Sequence, residues 1–160
     1  MEKEIITRTL KALKRNHFEV YLAENREEAK EIFFKEIFEK IKPATVSWGG
    51  SMTMKSTGVL DEMANNPECI LIRTFQEGYS RTQKTYWRRQ ALQTDLFLTG
   101  TNALTQQGQL VNIDMVGNRV AGLSFGPEHV ALFIGTNKIV ENIEQAMERI
   151  RTVAAPLNAI

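Results

Sequence analysis

Cysteine is nearly absent: Cys69 is the only one in 160 residues. That excludes an intrachain disulfide, and it excludes a metal or iron–sulfur centre built from the chain's own thiolate pairs. A reducing compartment is compatible with this usage. No two histidines stand at the helical spacing of a metal site. An excess of one charge is missing as well. Lys and Arg total 20 and Asp and Glu 19, a net charge of +1 that provides no global field for a polyanion or a lipid surface. No apolar run approaches the roughly 20 residues needed to cross a bilayer. The start, Met1-Glu2-Lys3-Glu4, is charged at once and has no apolar signal core. These absences lead us to expect a cytoplasmic protein with no membrane insertion, no nucleic-acid partner, no metal and no cofactor.

What is present suits a single α/β domain over residues 1–160. Hydrophobic residues make up 42%, enough for a core without staples. Ile6, Leu10 and Leu13 recur at helical spacing and predict a helix near 3–15. Phe18, Val20 and Leu22 alternate with their neighbours and predict a short strand. Asn25 with Glu28 is a capping-box pattern, opening a helix to about Ile41 that Pro43 stops. Residues 54–63 read as a short helix interrupted at Gly58. Cys69-Ile70-Leu71-Ile72 and Leu96-Phe97-Leu98 are continuous apolar runs, the pattern of strands buried on both faces. Ser80 with Gln83 predicts a helix over about 80–93. It carries Arg81, Lys84, Arg88 and Arg89 interleaved with Tyr79, Tyr86 and Trp87, and no acid lies between Gly78 and Thr94. Such a helix is either a solvated face whose rings pack on the domain or on a second subunit, or a surface for anions or nucleic acid. The near-neutral chain favours the former. Residues 110–114 should form a strand, 120–125 an extended segment and 130–134 the last buried strand. A final helix from Asn142 should end at Pro156.

The stretch Thr45-Val46-Ser47-Trp48-Gly49-Gly50-Ser51-Met52-Thr53 organises the rest. It reads as a buried strand running into a glycine turn at the start of a helix. Glycines there let a ligand approach the backbone, and N–H groups of such a turn hold anions. In the alternative reading, Gly49 and Gly50 only turn the chain and Ser51 only caps the helix.

Strands and helices alternate for most of the length. This predicts a three-layer, mainly parallel sheet flanked by helices. Ligands of such sheets sit outside the carboxyl ends of the strands. Three buried strands end in small polar turns: Gly49–Thr53, Thr99–Asn102 and Gly135–Lys138. The candidate ligand set is therefore Gly49, Gly50, Ser51, Thr53, Thr99, Gly100, Asn102, Asn112, Asp114, Asn118, Arg119 and Lys138. It offers N–H groups, hydroxyls, amides, one carboxylate and two cations, which suits a small anionic metabolite, a carboxylate or a phosphate. Each residue also has a structural reading: Asp114 and Arg119 as an ion pair pinning a loop, Asn112 and Asn118 as turn caps.

Read together in order, Gly49-Gly50-Ser51-Met52-Thr53, the Thr99–Thr105 and Gly108–Asp114 segments, Gly117–Ala121, Gly126-Pro127 and Gly135–Val140 resemble the LUD-domain family. These are the lactate-utilisation proteins of the LutC/YkgG type. The resemblance runs from about Ile6 to Asn158. It implies a fold similar to the ribose-5-phosphate isomerase and CoA-transferase superfamily (NagB/RpiA/CoA-transferase-like), where a Gly/Ser/Thr turn after a strand holds phosphate or carboxylate. Carried over, that points to Gly49, Gly50, Ser51 and Thr53, with Thr99–Asn102 and Asn112/Asp114 as a second wall. Family members belong to systems that oxidise L-lactate to pyruvate beside iron–sulfur subunits. With Cys69 alone, this chain is expected to hold no cluster itself. Family chains often run on past the Ala154–Asn158 segment, so such a tail is expected to be either absent here or cut off.

The function expected first is a non-redox accessory component of lactate oxidation, with a small anionic metabolite, iron–sulfur protein subunits or a second copy as partners. One alternative is a sugar-phosphate isomerase or acyl/CoA-transferase-like enzyme, for which Asp114 is the weak candidate general base. Another is a protein-interaction module that docks through the basic-aromatic helix. The resemblance supplies no catalytic residue.

Overall fold

A computed structural model describes residues 1–158 of the chain. The first elements are α1 (Glu2–Arg15), α2 (Arg26–Ile32), a π-helical turn (Phe33–Phe38) leading into α3 (Glu39–Ile41), β1 (Thr45–Trp48), α4 (Met52–Lys55), α5 (Val59–Met63) and β2 (Ile70–Leu71). Next come α6 (Arg81–Gln90) with a 3₁₀ turn (Ala91–Gln93), β3 (Leu96–Thr99), β4 (Ala103–Thr105), β5 (Leu110–Val111), α7 (Asn118–Ser124) and β6 (His129–Leu132). A 3₁₀ turn (Thr136–Lys138), β7 (Ile139–Val140), α8 (Ile143–Arg149), a second π-helical turn (Ile150–Ala154) and α9 (Ala155–Asn158) complete the described chain. These elements gather into two compact units. The first unit takes Met1–Tyr21, Thr101–Ile113 and the chain from Ile134; the second takes Leu22–Gly100 and Asp114–Phe133.

The second unit is built on a four-stranded, all-parallel sheet in the order β2-β1-β3-β6. Residues two apart on a strand share a face, so Val46 and Trp48 line up with Leu96 and Leu98 and with Ala131. This face packs on Phe33, Phe38, Met54, Val59 and Met63 of the helical layer, and all five are buried. On the opposite face the Phe97 ring lies against Gly122 of α7. Helices on both sides of a parallel sheet give the expected α/β layering. Asp95 ties the strand starts together: its Oδ2 accepts from the Thr45 N–H at 2.8 Å, and its own N–H donates to Thr45 Oγ1 at 3.0 Å.

The first unit holds a smaller mixed sheet, β5-β4-β7, antiparallel between β4 and β5 and parallel between β4 and β7. Gly108, at φ +79°, makes the turn between β4 and β5 and sits against Ala12 and Leu13 of α1, where a Cβ would meet backbone near 3.0 Å. The helical stripe of α1 buries Thr9, Ala12 and Leu13.

Several local expectations are corrected. Residues 18–22 are not a strand, and Phe18, Tyr21 and Leu22 are exposed. Alternation marks a pleated face only where a neighbouring strand completes the ladder. The Cys69–Ile72 run supplies just the two residues of β2, an edge strand in which Ile70 is 67% exposed. Residues 120–125 are mostly helical, not extended. Gly117, at φ +76°, starts α7, and Asp114 Oδ2 accepts from the Val120 N–H at 2.8 Å, so a cap from outside the run decides its conformation. Pro156 does not end the last helix. The helical run, widened at the π turn, continues past it in α9 to Asn158.

Candidate functional site

Strands β1, β3 and β6 are parallel neighbours, so their carboxyl ends share one rim. The ladder runs into the turns: the Gly49 N–H donates to Leu98 O at 2.9 Å, and the Phe133 N–H to Thr99 O at 2.9 Å. Gly49 is buried. A Cβ on it would lie 3.0 Å from Thr99 Oγ1, 3.1 Å from Phe97 Cζ and 3.2 Å from Arg119 Cγ. Gly100 is crowded by the Ser51 hydroxyl and by the Phe133 carbonyl. These two glycines are there for close approach within the protein. Gly50 differs: it is exposed, and its nearest side chain is the Phe75 ring, 3.9 Å from where a Cβ would stand. Ser51 caps α4, accepting from the Met54 N–H at 3.2 Å. Thr53 is half-buried, and its carbonyl accepts from Ser56 Oγ at 2.7 Å.

Thr99 stands out at this rim. It is fully buried, and its Oγ1 has no hydrogen-bond partner. Buried hydroxyls nearly always find one, and leaving one unmade costs on the order of 1–3 kcal/mol.

Asp114 and Arg119 pair here. Arg119 Nε and Nη2 donate to Asp114 Oδ1 at 2.9 and 2.5 Å, and each side chain is only about a tenth exposed. Both carboxylate oxygens are engaged, since Oδ2 holds the start of α7. The pair reaches the strand-end glycine through the contact between Arg119 Cγ and Gly49. Asn118 opens α7.

The remaining candidates belong to the first unit. Asn102 and Asn112 bind one another's segments: the Asn102 N–H donates to Asn112 Oδ1 at 3.2 Å, and Asn102 Oδ1 accepts from the Ile113 N–H at 2.9 Å. Lys138 Nζ donates to Thr101 O at 2.9 Å. Arg149, which the sequence reading passed over, donates from Nη1 to Asn102 O at 2.5 Å and from Nε to Asn137 O at 3.3 Å. Its burial lowers the guanidinium pKa.

The sequence model of the LUD domain matches residues 6–160. The chain belongs to the LUD domain family. No curated protein matches it, and no solved structure does. In this LUD-domain chain the twelve candidates thus divide by unit. Gly49, Gly50, Ser51, Thr53, Thr99, Gly100, Asp114, Asn118 and Arg119 lie in the second, and Asn102, Asn112 and Lys138 in the first. Among the described residues no group of three or more His, Cys, Asp or Glu side chains is placed to hold a metal. No described helix is long and apolar enough to cross a membrane. Two shallow depressions open to solvent lie along α6, lined by Arg81, Thr85, Tyr86 and Arg89 among others, and along α1.

Cys69 is half-buried just before β2, and burial pushes its thiol up, with Glu68 adding to the shift. The thiolate is the reactive form. Iodoacetamide at pH 8 is therefore expected to label the LUD-domain chain more slowly than free cysteine, and Glu68→Gln should speed the reaction. Mass spectrometry of timed aliquots checks this; labelling as fast as free cysteine would contradict it.

Proposed function

We propose that this chain is one LUD domain over residues 1–160, a cytoplasmic, non-redox component of a system oxidising L-lactate to pyruvate. In this reading it binds a small carboxylate at the strand-end turn of the second unit, with Gly50, Ser51, Thr53 and Thr99 as the site and Gly49 and Gly100 giving the close packing behind it. Membership of the LUD domain family supports the general assignment. The parallel sheet with a glycine turn past β1 is consistent with the ribose-5-phosphate isomerase/CoA-transferase superfamily. The observation that carries the binding reading is the buried, unpartnered Thr99 hydroxyl against Gly49. Oxidation of lactate releases two electrons and two protons. A single cysteine cannot ligate a cluster to accept them, so iron–sulfur subunits are the proposed acceptors.

Thermal unfolding of the purified chain with L-lactate or pyruvate tests this. A ligand at about 100 times its Kd stabilises the folded state by about 2.7 kcal/mol. Thr99→Val keeps the shape and removes only the unpartnered hydroxyl. The ligand-free variant should melt at or above the wild-type temperature and should lose most of the carboxylate-induced shift. The chain alone should not oxidise lactate with a dye acceptor. Turnover by the isolated chain, or no shift with either acid, would overturn the proposal.

A further inference from the structure

Three arginines of the chain are buried or half-buried: Arg88, Arg119 and Arg149. Arg119 is held by Asp114, and Arg149 by two backbone carbonyls. Arg88 differs from both. Its Nε is buried without a hydrogen-bond partner, and among the described residues no carboxylate pairs with it. The nearest charges along its helix make matters worse. Lys84 precedes it by one turn and Arg89 follows it, and α6 contains no acid. The Nε N–H is shut off from water with no acceptor while the guanidinium stays charged, so an anion at this position would supply the missing acceptor.

The position of Arg88 says where that anion would sit. Its guanidinium lies over the Phe75 ring, 6.0 Å from the centroid. The far edge of that ring is the side-chain neighbour of Gly50, the exposed residue of the turn past β1. Phe75 also packs against Trp48, the last residue of β1, at 6.1 Å between centroids. Thr74, just before Phe75, anchors this segment by donating from Oγ1 to Trp48 O at 3.2 Å. One ring thus has a cation on its face and the glycine turn at its edge.

We infer that Arg88 is the anion-binding residue of the strand-end site, and that the site takes a small monocarboxylate with a short apolar end. This rests on the carboxylate reading above and names the residue that reading lacked. The planar guanidinium matches a carboxylate through two parallel N–H···O bonds. The Phe75 and Trp48 rings offer an apolar wall suited to a methyl-sized group, with the indole N–H of Trp48 their one polar group. The ring stack fixes the guanidinium in advance, so less freedom is lost on binding.

The test is titration of the full chain with L-lactate, pyruvate and, separately, inorganic phosphate, read by calorimetry and melting temperature. Wild type, Arg88→Gln and Arg88→Lys are compared. Without ligand, both variants should melt close to wild type, because Arg88 is half-buried and its one partner among the described residues is the Phe75 ring, a contact that contributes little near the surface. Arg88→Gln should weaken carboxylate binding about tenfold or more. Arg88→Lys, which keeps charge but not the fork, should recover only part of it. Carboxylate binding by Arg88→Gln equal to wild type would overturn this inference and leave the strand-end reading standing. Phosphate bound more tightly than either acid, in an Arg88-dependent way, would overturn the ligand class. No binding by wild type to any of the three would remove both.

Discussion

Arg119→Ala is expected to cost about 3–5 kcal/mol of folding stability, the loss typical when one partner of a buried ion pair is removed. Asp114 would be left about nine-tenths buried without its cation. Its Oδ2 would still accept from the Val120 N–H, so the helix start could not release it to solvent without losing its own cap. Urea denaturation should show a lower midpoint with an unchanged slope. Replacing both groups, as in Asp114→Asn/Arg119→Met, should restore part of the loss, because no unpaired charge remains buried. A wild-type midpoint for Arg119→Ala would show that the pair contributes nothing. This pair also bears on the general-base alternative: three hydrogen bonds from the fold leave Asp114 one lone pair, on Oδ2, with which to take a proton.

Gly122→Ala should also destabilise, against the usual trend. Ala is favoured over Gly inside a helix by about 1 kcal/mol. Here a Cβ would stand 2.7 Å from Phe97 Cε1 and 3.0 Å from Cδ1, and Phe97 is a fully buried ring on a central strand. A contact this short on a fully buried ring forces a shift, so overpacking should outweigh propensity by about 1–3 kcal/mol. That corresponds to a drop of several degrees in Tm for a chain of this size. Phe97→Leu should be destabilising on its own. In combination, Gly122→Ala and Phe97→Leu should cost less than the sum of the single changes. Strict additivity would show that the two positions do not press on one another.

The framework was legible wherever a local pattern had one physical outcome. Val46 and the Leu96–Leu98 run read as buried parallel strands because both faces are covered, and they are. Ser80 with Gln83 read as a capping box and forms one in full. The misreadings share a cause: the deciding partner lay elsewhere in the chain. The 120–125 run is apolar enough for a strand or a helix, and the choice belongs to Asp114 and Gly117. The β4–β7 pairing joins Leu104 to Ile139, a separation no short window contains. At the candidate site the residue types were legible and their engagements were not. Nothing in the sequence announces that Thr99 Oγ1 lacks a partner, or that Arg88 Nε is buried without an acceptor.

The brevity of β2 carries a consequence for how the molecule behaves in a crowd. A sheet margin with open N–H and C=O groups can template addition of a strand from a neighbouring molecule, and apolar side chains such as Ile70 would encourage it. Two residues of ladder give an incoming chain too few hydrogen bonds to stay. The chain then leaves toward Thr74, whose hydroxyl is tied inward to Trp48. That side of the sheet is protected against fibre growth by being short, even though it is not polar.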